Sequence, residues 1–126
     1  MNRKSELNLE IGWAFWYNEN IIFVFDLDGT IYFDWMTIAA DIKAILAGTP
    51  TFGHSVTFAS ARSYRDCIDV LENQLAQNLV IGLNDGLAYE AGDLIFHRHL
   101  EKDAYALALS WCHNFHLPYF VDDDFN

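Results

Sequence analysis

The stretch of sequence that decides the fold is IIFVFDLDGTIY, residues 21–32. It begins with a run of β-branched and aromatic residues, which is typical of a strand buried on both faces of a parallel sheet. Asp26 and Asp28 follow this run, with only Leu27 between them. Two carboxylates at the end of a buried strand repel each other and lose water. They are therefore usually kept for a cation, a phosphate or a reaction.

The composition is that of one small, acidic domain. The chain has 126 residues, of which 52% are hydrophobic, and its net charge of -11 comes from 18 acidic and 7 basic residues. This balance argues against nucleic-acid binding, which needs clustered Lys and Arg. No apolar run approaches the ~20 residues of a membrane-spanning helix, and the first residues lack the apolar segment of a secretory signal. We expect a soluble cytoplasmic protein with no membrane contact.

Strand and helix patterns alternate along the rest of the chain. Further strands are predicted in SVTFAS (55–60), LVIGL (79–83), the hairpin LAYEAGDLIFHR (87–98) and PYFVD (118–122). Helices are predicted in MTIAADIKAIL (36–46) with Gly48 as its cap, SYRDCIDVLENQLAQ (63–77) and EKDAYALALSWCHNF (101–115). The order predicts an α/β fold, a partial Rossmann-like parallel sheet flanked by helices and carrying a β-hairpin. Cys67 and Cys112 are expected as buried, unpaired thiols. The aromatic segment IGWAFWYNEN (11–20) is predicted as an extra strand or an arm.

Polar residues follow the first three predicted strands at the point where each strand ends. These residues are Asp26, Ser60 and Asn84. Ligands bind at the carboxyl ends of parallel strands, so we expect the three residues to converge on one edge of the sheet.

The acidic turn suits phosphoryl chemistry. If Leu27 points into the core, both carboxylates face a cleft, where Mg²⁺ would relieve their repulsion. Asp26 would then attack a phosphorus atom, while Asp28 would protonate the leaving oxygen and later activate water. Gly29 permits a tight turn whose N–H groups face an anion. The alternative is a plain turn in which both aspartates cap the backbone.

A family resemblance supports the first interpretation. FDLDGT, with Asp26, Asp28, Gly29 and Thr30, resembles the first motif of the haloacid dehalogenase superfamily of phosphotransferases. The resemblance implies that Asp26 is the nucleophile and that Asp28 is the general acid and base. It also implies a Mg²⁺ site made by Asp26 and the Asp28 main-chain carbonyl, with Gly29 and Thr30 at the phosphate.

Two later segments resemble the sugar-phosphatase (Cof-type) branch of this superfamily. VTFASARSYRD matches its second motif, which implies phosphate binding by Ser60 and Arg62, although Ala61 replaces the usual glycine. IGLNDGLAYEAGDLIF matches a strand, an Asn-containing turn and a hairpin, which implies a phosphate contact for Asn84. The alternatives are a helix N-cap at Ser60, a solvated Arg62 and a plain turn at Asn84.

The resemblance covers only the first half of the family's domain. It implies that residues 1–100 form the N-terminal half of the core and that residues 101–126 begin a mobile cap domain or a C-terminal extension. The chain is therefore expected to be truncated. The family's Lys and distal acidic pair would then be missing, unless Lys102 and Asp122 to Asp124 replace them.

Two functional hypotheses follow. In the first, the chain is a Mg²⁺-dependent phosphohydrolase that cleaves a small phosphate ester, such as a sugar phosphate, through an aspartyl-phosphate intermediate. In the second, it is a catalytically weak or silent domain that binds phosphate or self-associates as a homodimer through an open sheet edge. A receiver-like phosphoacceptor domain and a DxD glycosyltransferase fit the motif order less well.

Overall fold

A computed structural model describes residues 20–33 and 37–122 of the chain. The predicted segment 11–20 lies outside the described residues except for Asn20. Met36, the first residue of the first predicted helix, and the acidic residues Asp123 and Asp124 also lie outside them. The strands are β1 (Ile22–Asp26), β2 (Ser55–Ala59), β3 (Leu79–Gly82), β4 (Leu87–Glu90) and β5 (Asp93–His97). The helices are α1 (Ala40–Gly48), α2 (Tyr64–Leu75) and α3 (Lys102–Asn114), with a short 3₁₀ turn at Thr49–Phe52.

The five strands form one mixed sheet in the order β1-β2-β3-β4-β5. The first three are parallel, and β4 and β5 add antiparallel strands through the predicted hairpin. The parallel strands are joined by helical crossovers, since each pair needs a long connection to return the chain to the same end of the sheet. The predicted α/β class is therefore confirmed.

The core lies between the sheet and the helices α1 and α2. Its six largest fully buried side chains are apolar and come from the sheet, the helices and the connecting turns: Leu27, Ile38, Phe58, Leu71, Val80 and Leu87. Burying one such side chain stabilises the fold by about 1.5–3 kcal/mol. The rings of Tyr64 and Tyr89 stack with their centroids 3.7 Å apart, which joins α2 to β4.

The prediction that β1 is buried on both faces is wrong. Ile22 is 63% exposed and Val24 is 60% exposed. The physical reason is that β1 is the edge strand of the sheet, because β2 is its only neighbour among the strands of the described residues. The apolar run correctly indicates a strand in a parallel sheet, but no described residue pairs with the second edge of β1, and much of the surface of the strand is exposed.

Other local predictions also need correction. The predicted strand at 118–122 is absent, since none of these residues belongs to a strand or helix. Gly48 does not end α1 in a left-handed conformation; its φ of -80° continues into the 3₁₀ turn, which ends at Gly53 with φ 78°. Cys112 is only partly buried, while Cys67 is fully buried, and both thiols are free. Burial raises the pKa of Cys67 to about 11.

The last helix adds little to the core. No side chain of α3 is buried.

The domain boundary expected near residue 100 stays a prediction. Among the described residues, no helix has both the length and the apolar content needed to cross a membrane.

Candidate active site

The carboxyl ends of the three parallel strands meet at one edge of the sheet. Asp26 is the register partner of Ala59, and Ala59 is the partner of Ile81 on β3. The next residue, Ser60, donates its N–H to the Ile81 carbonyl at 2.9 Å and accepts from the Asn84 N–H at 3.3 Å. The structure therefore brings together the predicted residues at the strand ends. We call Asp26, Asp28, Ser60, Arg62 and Asn84 the strand-end cluster.

The turn after β1 orients the two aspartates. Leu27 is completely buried, as the sequence predicts, and its carbonyl accepts hydrogen bonds from the N–H groups of Ile31 and Tyr32 at 3.2 and 3.0 Å. Gly29 has a φ of 76° and donates its N–H to the Tyr32 carbonyl at 2.9 Å. A left-handed conformation is easy only for glycine, so Gly29 closes this turn. Thr30 is exposed beside it.

Asp26 presents an accessible carboxylate at the end of β1. Its Oδ1 accepts the N–H of Leu27 at 2.8 Å. Its second oxygen accepts no hydrogen bond from the described residues, and the residue is exposed. An oxygen with this freedom is available to a metal ion or an electrophile.

Asp28 is held by Arg62 through two hydrogen bonds. The Arg62 Nε donates to Oδ2 at 2.8 Å, and its Nη2 donates to Oδ1 at 2.7 Å. The hydrogen bond to Asp28 is the main cause that raises the pKa of Arg62. The guanidinium carbon lies 5.1 Å from the centre of the Tyr32 ring, within the range of a cation–π contact. Arg62, which the resemblance assigns to phosphate, thus contacts the aspartate in this structure.

Ser60 is buried, and its hydroxyl belongs to the turn that leads into α2. Its Oγ accepts the N–H of Arg62 at 3.1 Å. The N-cap of α2 is Ser63 instead, whose Oγ accepts the Asp66 N–H at 3.3 Å. The alternative interpretation of Ser60 as an ordinary helix N-cap does not describe this geometry.

Gly82 fixes the spacing between β3 and the Arg62 turn, and sequence reasoning missed it. A Cβ at this position would lie 2.8 Å from the Arg62 carbonyl oxygen and 2.9 Å from Leu87 Cδ1. The next residue, Leu83, donates its N–H to the same Arg62 carbonyl at 2.8 Å. A glycine at the end of a strand pattern is the signal that points to such a close approach.

Asn84 lies in a left-handed turn after β3. Leu83, Asn84 and Asp85 have φ angles of 51°, 50° and 69°. Such conformations cost about 1–2 kcal/mol for each residue with a side chain. They turn the chain sharply back, so that Asn84 stays within hydrogen-bond distance of Ser60. Asn84 also lines a cavity of about 750 Å³, together with Lys102 and Asp122.

Tyr32 is the second contributor that sequence reasoning missed. It is buried, and its ring lies under the Arg62 guanidinium. No sequence pattern indicates this contact, because it joins two turns that only the parallel sheet brings together.

The donors at the turn fit a Mg²⁺ ion that keeps several of its waters. Mg²⁺ is commonly held by one or two carboxylates, with water and substrate phosphate completing its six oxygen ligands. The free oxygen of Asp26 and the main-chain carbonyl of Asp28 are donors of this kind. The described parts of the chain contain no group of three or more His, Cys, Asp or Glu side chains that would hold a metal without help.

The sequence profile of the haloacid dehalogenase-like hydrolase family matches residues 23–125. The chain belongs to this family, and the resemblance seen in FDLDGT is confirmed. A comparison with curated protein sequences finds no match.

Solved structures share the fold. A haloacid dehalogenase-like hydrolase from B. subtilis has a TM-score of 0.69 and 22% identity, covering 78% of this chain and 34% of its own. A phosphatase from Bacteroides thetaiotaomicron has a TM-score of 0.65 and 16% identity, covering 79% and 37%. A subclass IIB sugar phosphatase has a TM-score of 0.61 and 16% identity, covering 77% and 38%. The chain therefore spans little more than a third of the length of these three structures.

Proposed function

We propose that the chain carries the nucleophile and the acid/base group of a Mg²⁺-dependent phosphohydrolase that acts on a small phosphate ester. The observation that carries the proposal is the turn at the end of β1. There, the buried Leu27 separates an accessible Asp26 carboxylate from an Asp28 carboxylate held by Arg62. Family membership supports the same reaction class.

The proposed reaction has two steps. In the first, a carboxylate oxygen of Asp26 bonds to phosphorus, the bond to the leaving oxygen breaks, and Asp28 gives a proton to that oxygen. In the second, Asp28 takes a proton from water, the water oxygen bonds to phosphorus, and the bond to Asp26 breaks. Inorganic phosphate leaves, and Asp26 returns to its carboxylate form. A bound Mg²⁺ would neutralise phosphate charge as Asp26 approaches.

The pair between Asp28 and Arg62 affects the first of these steps. Both carboxylate oxygens of Asp28 accept hydrogen bonds from the Arg62 guanidinium, so neither is free to approach a leaving oxygen while the pair is intact. We infer that Arg62 moves toward the substrate phosphate when the ester binds, which releases Asp28 to act first as an acid.

The phosphate contacts belong to the same proposal. Ser60, Arg62 and Asn84 converge on the strand ends, and Gly29 and Thr30 form the exposed turn next to Asp28. Hydroxyl, guanidinium, amide and main-chain N–H groups are the donors that phosphate oxygens need. A sugar phosphate is the proposed substrate class, which the printed description of the subclass IIB structure supports. We place the reaction in the cytoplasm, which fits two free thiols.

Hydrolysis of p-nitrophenyl phosphate tests the proposal. We expect Mg²⁺-dependent turnover that Asp26→Asn lowers by at least about a thousandfold, because the amide is a poor nucleophile. Asp41→Asn is the matched control, since Asp41 Oδ1 accepts the next N–H at 2.9 Å much as Asp26 does, but on α1. Equal rates for Asp26→Asn and the wild type would rule the proposal out.

A second candidate function is self-association. Its specific observation is the outer edge of β1, which pairs with no strand in residues 20–33 and 37–122; Ile22, Phe23 and Val24 are 63%, 39% and 60% exposed there. Apart from Asp26 at its end, β1 has none of the charges, prolines or bulges that keep the edges of monomeric proteins from pairing. We propose that β1 of a second copy pairs with it.

The charge on β1 selects an antiparallel arrangement for this pairing. In a twofold pair centred on Val24, the two Asp26 carboxylates lie at opposite ends, about 13 Å apart along the strands. A parallel pair in register would instead place them side by side and repelling each other. The antiparallel pair therefore leaves each strand-end cluster at its own end of the joined sheet.

A further inference from the structure

A cavity of about 750 Å³ lies next to the strand-end cluster, and we call it the outer cavity. Asn84 belongs to both, since its N–H donates to the Ser60 carbonyl and the residue also lines the cavity. Another part of the lining, here called the basic wall, comes from the end of β5, the segment that follows it and the start of α3, and it includes Arg98, His99 and Lys102. The cavity therefore extends from the proposed phosphate position to the basic wall.

The charges on this wall are unusual for such an acidic chain. Of the basic residues in the described parts of the chain, three have acidic partners: Lys43 with Glu72, Arg62 with Asp28 and Arg65 with Asp66. Arg98 and Lys102 are the two described residues with basic side chains and no ion-pair partner. Both line the outer cavity. In a chain with a net charge of -11, two unpaired cations in one cavity indicate a site for an anion.

The start of α3 adds donors to the same wall. The helix begins at Lys102, between Glu101 and Asp103, and the N-cap residue Glu101 makes no side-chain hydrogen bond to the first turn. The first N–H groups of an uncapped helix need a partner outside the helix, and an anion is favoured there. His99 lines the same cavity, and the centre of its ring lies 4.0 Å from the centre of the His97 ring.

Two acidic residues also line the cavity, and neither neutralises this wall. The Oδ1 atom of Asp122 lies 3.9 Å from Nη2 of Arg65, so the Asp122 carboxylate pairs with a residue of α2. Asp85 is exposed in the left-handed turn after β3, where solvent screens its charge. Arg98 and Lys102 are within salt-bridge distance of neither.

We propose that the outer cavity binds a second anionic group, a carboxylate or a phosphate, on the same substrate that places its reacting phosphate at the strand-end cluster. The inference rests on the proposed function and deepens it by naming the substrate class: a phosphate ester with a negatively charged far end. Arg98 and Lys102 pair with that group, and the first turn of α3 donates N–H groups to it.

Binding of matched phosphonates tests the proposal without hydrolysis. Alkylphosphonates are compared by calorimetry, in the presence of Mg²⁺, with ω-carboxyalkylphosphonates and α,ω-bisphosphonates of two to six carbons. We expect the compounds with a second anionic group, at the best-fitting length, to bind the 126-residue chain about tenfold more tightly than the alkylphosphonate of that length. The bisphosphonate arm distinguishes a second phosphate from a carboxylate.

Variants locate the second anion. Arg98 and Lys102 are both exposed, so Arg98→Gln and Lys102→Gln should not disturb the fold. Each variant should reduce the tenfold preference for compounds with a second anionic group to near one, while alkylphosphonate binding stays unchanged. Lys43→Gln, on α1 and away from the cavity, is the matched control and should keep the preference. Loss of the preference in Lys43→Gln as well would contradict the assignment to the outer cavity.

The outcomes separate this inference from the proposed function. If alkylphosphonates bind but the second anion brings no gain at any length, the outer cavity is not an anion site, although phosphoryl chemistry stands. If the gain depends on Arg98 and Lys102 but p-nitrophenyl phosphate is not hydrolysed, the cavity assignment stands and the hydrolytic function fails. If no phosphonate binds, the inference is overturned.

Discussion

Arg62 donates two hydrogen bonds to the carboxylate of Asp28, at 2.8 and 2.7 Å, and links the turns that follow β1 and β2. The two side chains are 25% and 33% exposed, so water screens the pair only partly. The guanidinium also lies over the Tyr32 ring. This relationship couples the proposed acid/base group to a residue that the family resemblance assigns to the phosphate.

Arg62→Gln tests the structural part of this coupling. We expect the free energy of unfolding to fall by about 1 kcal/mol, because a bidentate pair with limited exposure is worth more than an ordinary surface pair. Arg65→Gln is the control, since its ion pairs are longer, at 3.5 and 3.9 Å, and should contribute close to nothing. Urea denaturation measures both. Equal stabilities for the two variants would mean that the Asp28 pair contributes nothing specific.

Gly82→Ala should destabilise the protein by about 1–3 kcal/mol, because the added Cβ would lie 2.8 Å from the Arg62 carbonyl oxygen. To relieve this close contact, the turn at Arg62 should move away from β3. We therefore expect the rate of hydrolysis to fall as well. Gly48→Ala is the control: its Cβ meets open space at the end of α1, and we expect a small gain in stability. Thermal unfolding compares them. A neutral Gly82→Ala would show that this close approach is not needed.

Self-association through β1 predicts a concentration-dependent mass. Val24→Lys, at a side chain that is 60% exposed, should keep the chain monomeric, because two lysines would face each other at the twofold axis. Ile45→Lys is the control, since Ile45 is 70% exposed on α1 and away from the edge. Sedimentation equilibrium measures the mass. A wild-type chain that stays monomeric at all concentrations would exclude the proposed pairing.

Mg²⁺ binding should be visible apart from catalysis. A ligand that binds only the folded state raises the unfolding temperature, so millimolar Mg²⁺ should raise it for the wild type and EDTA should reverse the effect. The shift should disappear in Asp26→Asn and persist in Asp41→Asn. The same shift in Asp26→Asn would place the ion elsewhere and contradict the proposed metal site.

The sequence predicts the parallel part of the fold well because local and long-range signals agree there. Three apolar runs each end at a polar residue, and the register does align Asp26 with Ala59 and Ala59 with Ile81. The sequence mispredicts the burial of β1. An apolar run indicates that a segment can form a strand in a sheet, but it does not indicate which strands lie beside that segment. The sequence mispredicts a strand at 118–122 for the same reason, because the apolar residues there pair with no strand in the described part of the chain.

The geometry of the candidate site was predictable within one short motif and not where distant turns meet. Asp26 and Asp28 lie on one short turn, so their arrangement follows from the strand and from the buried Leu27 between them. The contact of Arg62 with Asp28 and Tyr32 joins residues about thirty positions apart along the chain, and only the register of β1 and β2 brings them together. The unpaired state of Arg98 and Lys102 likewise depends on where every acidic side chain lies in space.

In the proposed reaction, Asp26 forms the bond to phosphorus. Acid quenching of the chain during turnover of p-nitrophenyl phosphate with Mg²⁺, followed by peptide mass mapping, tests it most directly. We predict a phosphoryl group on Asp26 that hydroxylamine removes, as expected for an acyl phosphate, and its loss in Asp26→Asn but not in Asp41→Asn. A phosphoryl group on another residue, or turnover without any phosphorylated peptide, would contradict the account.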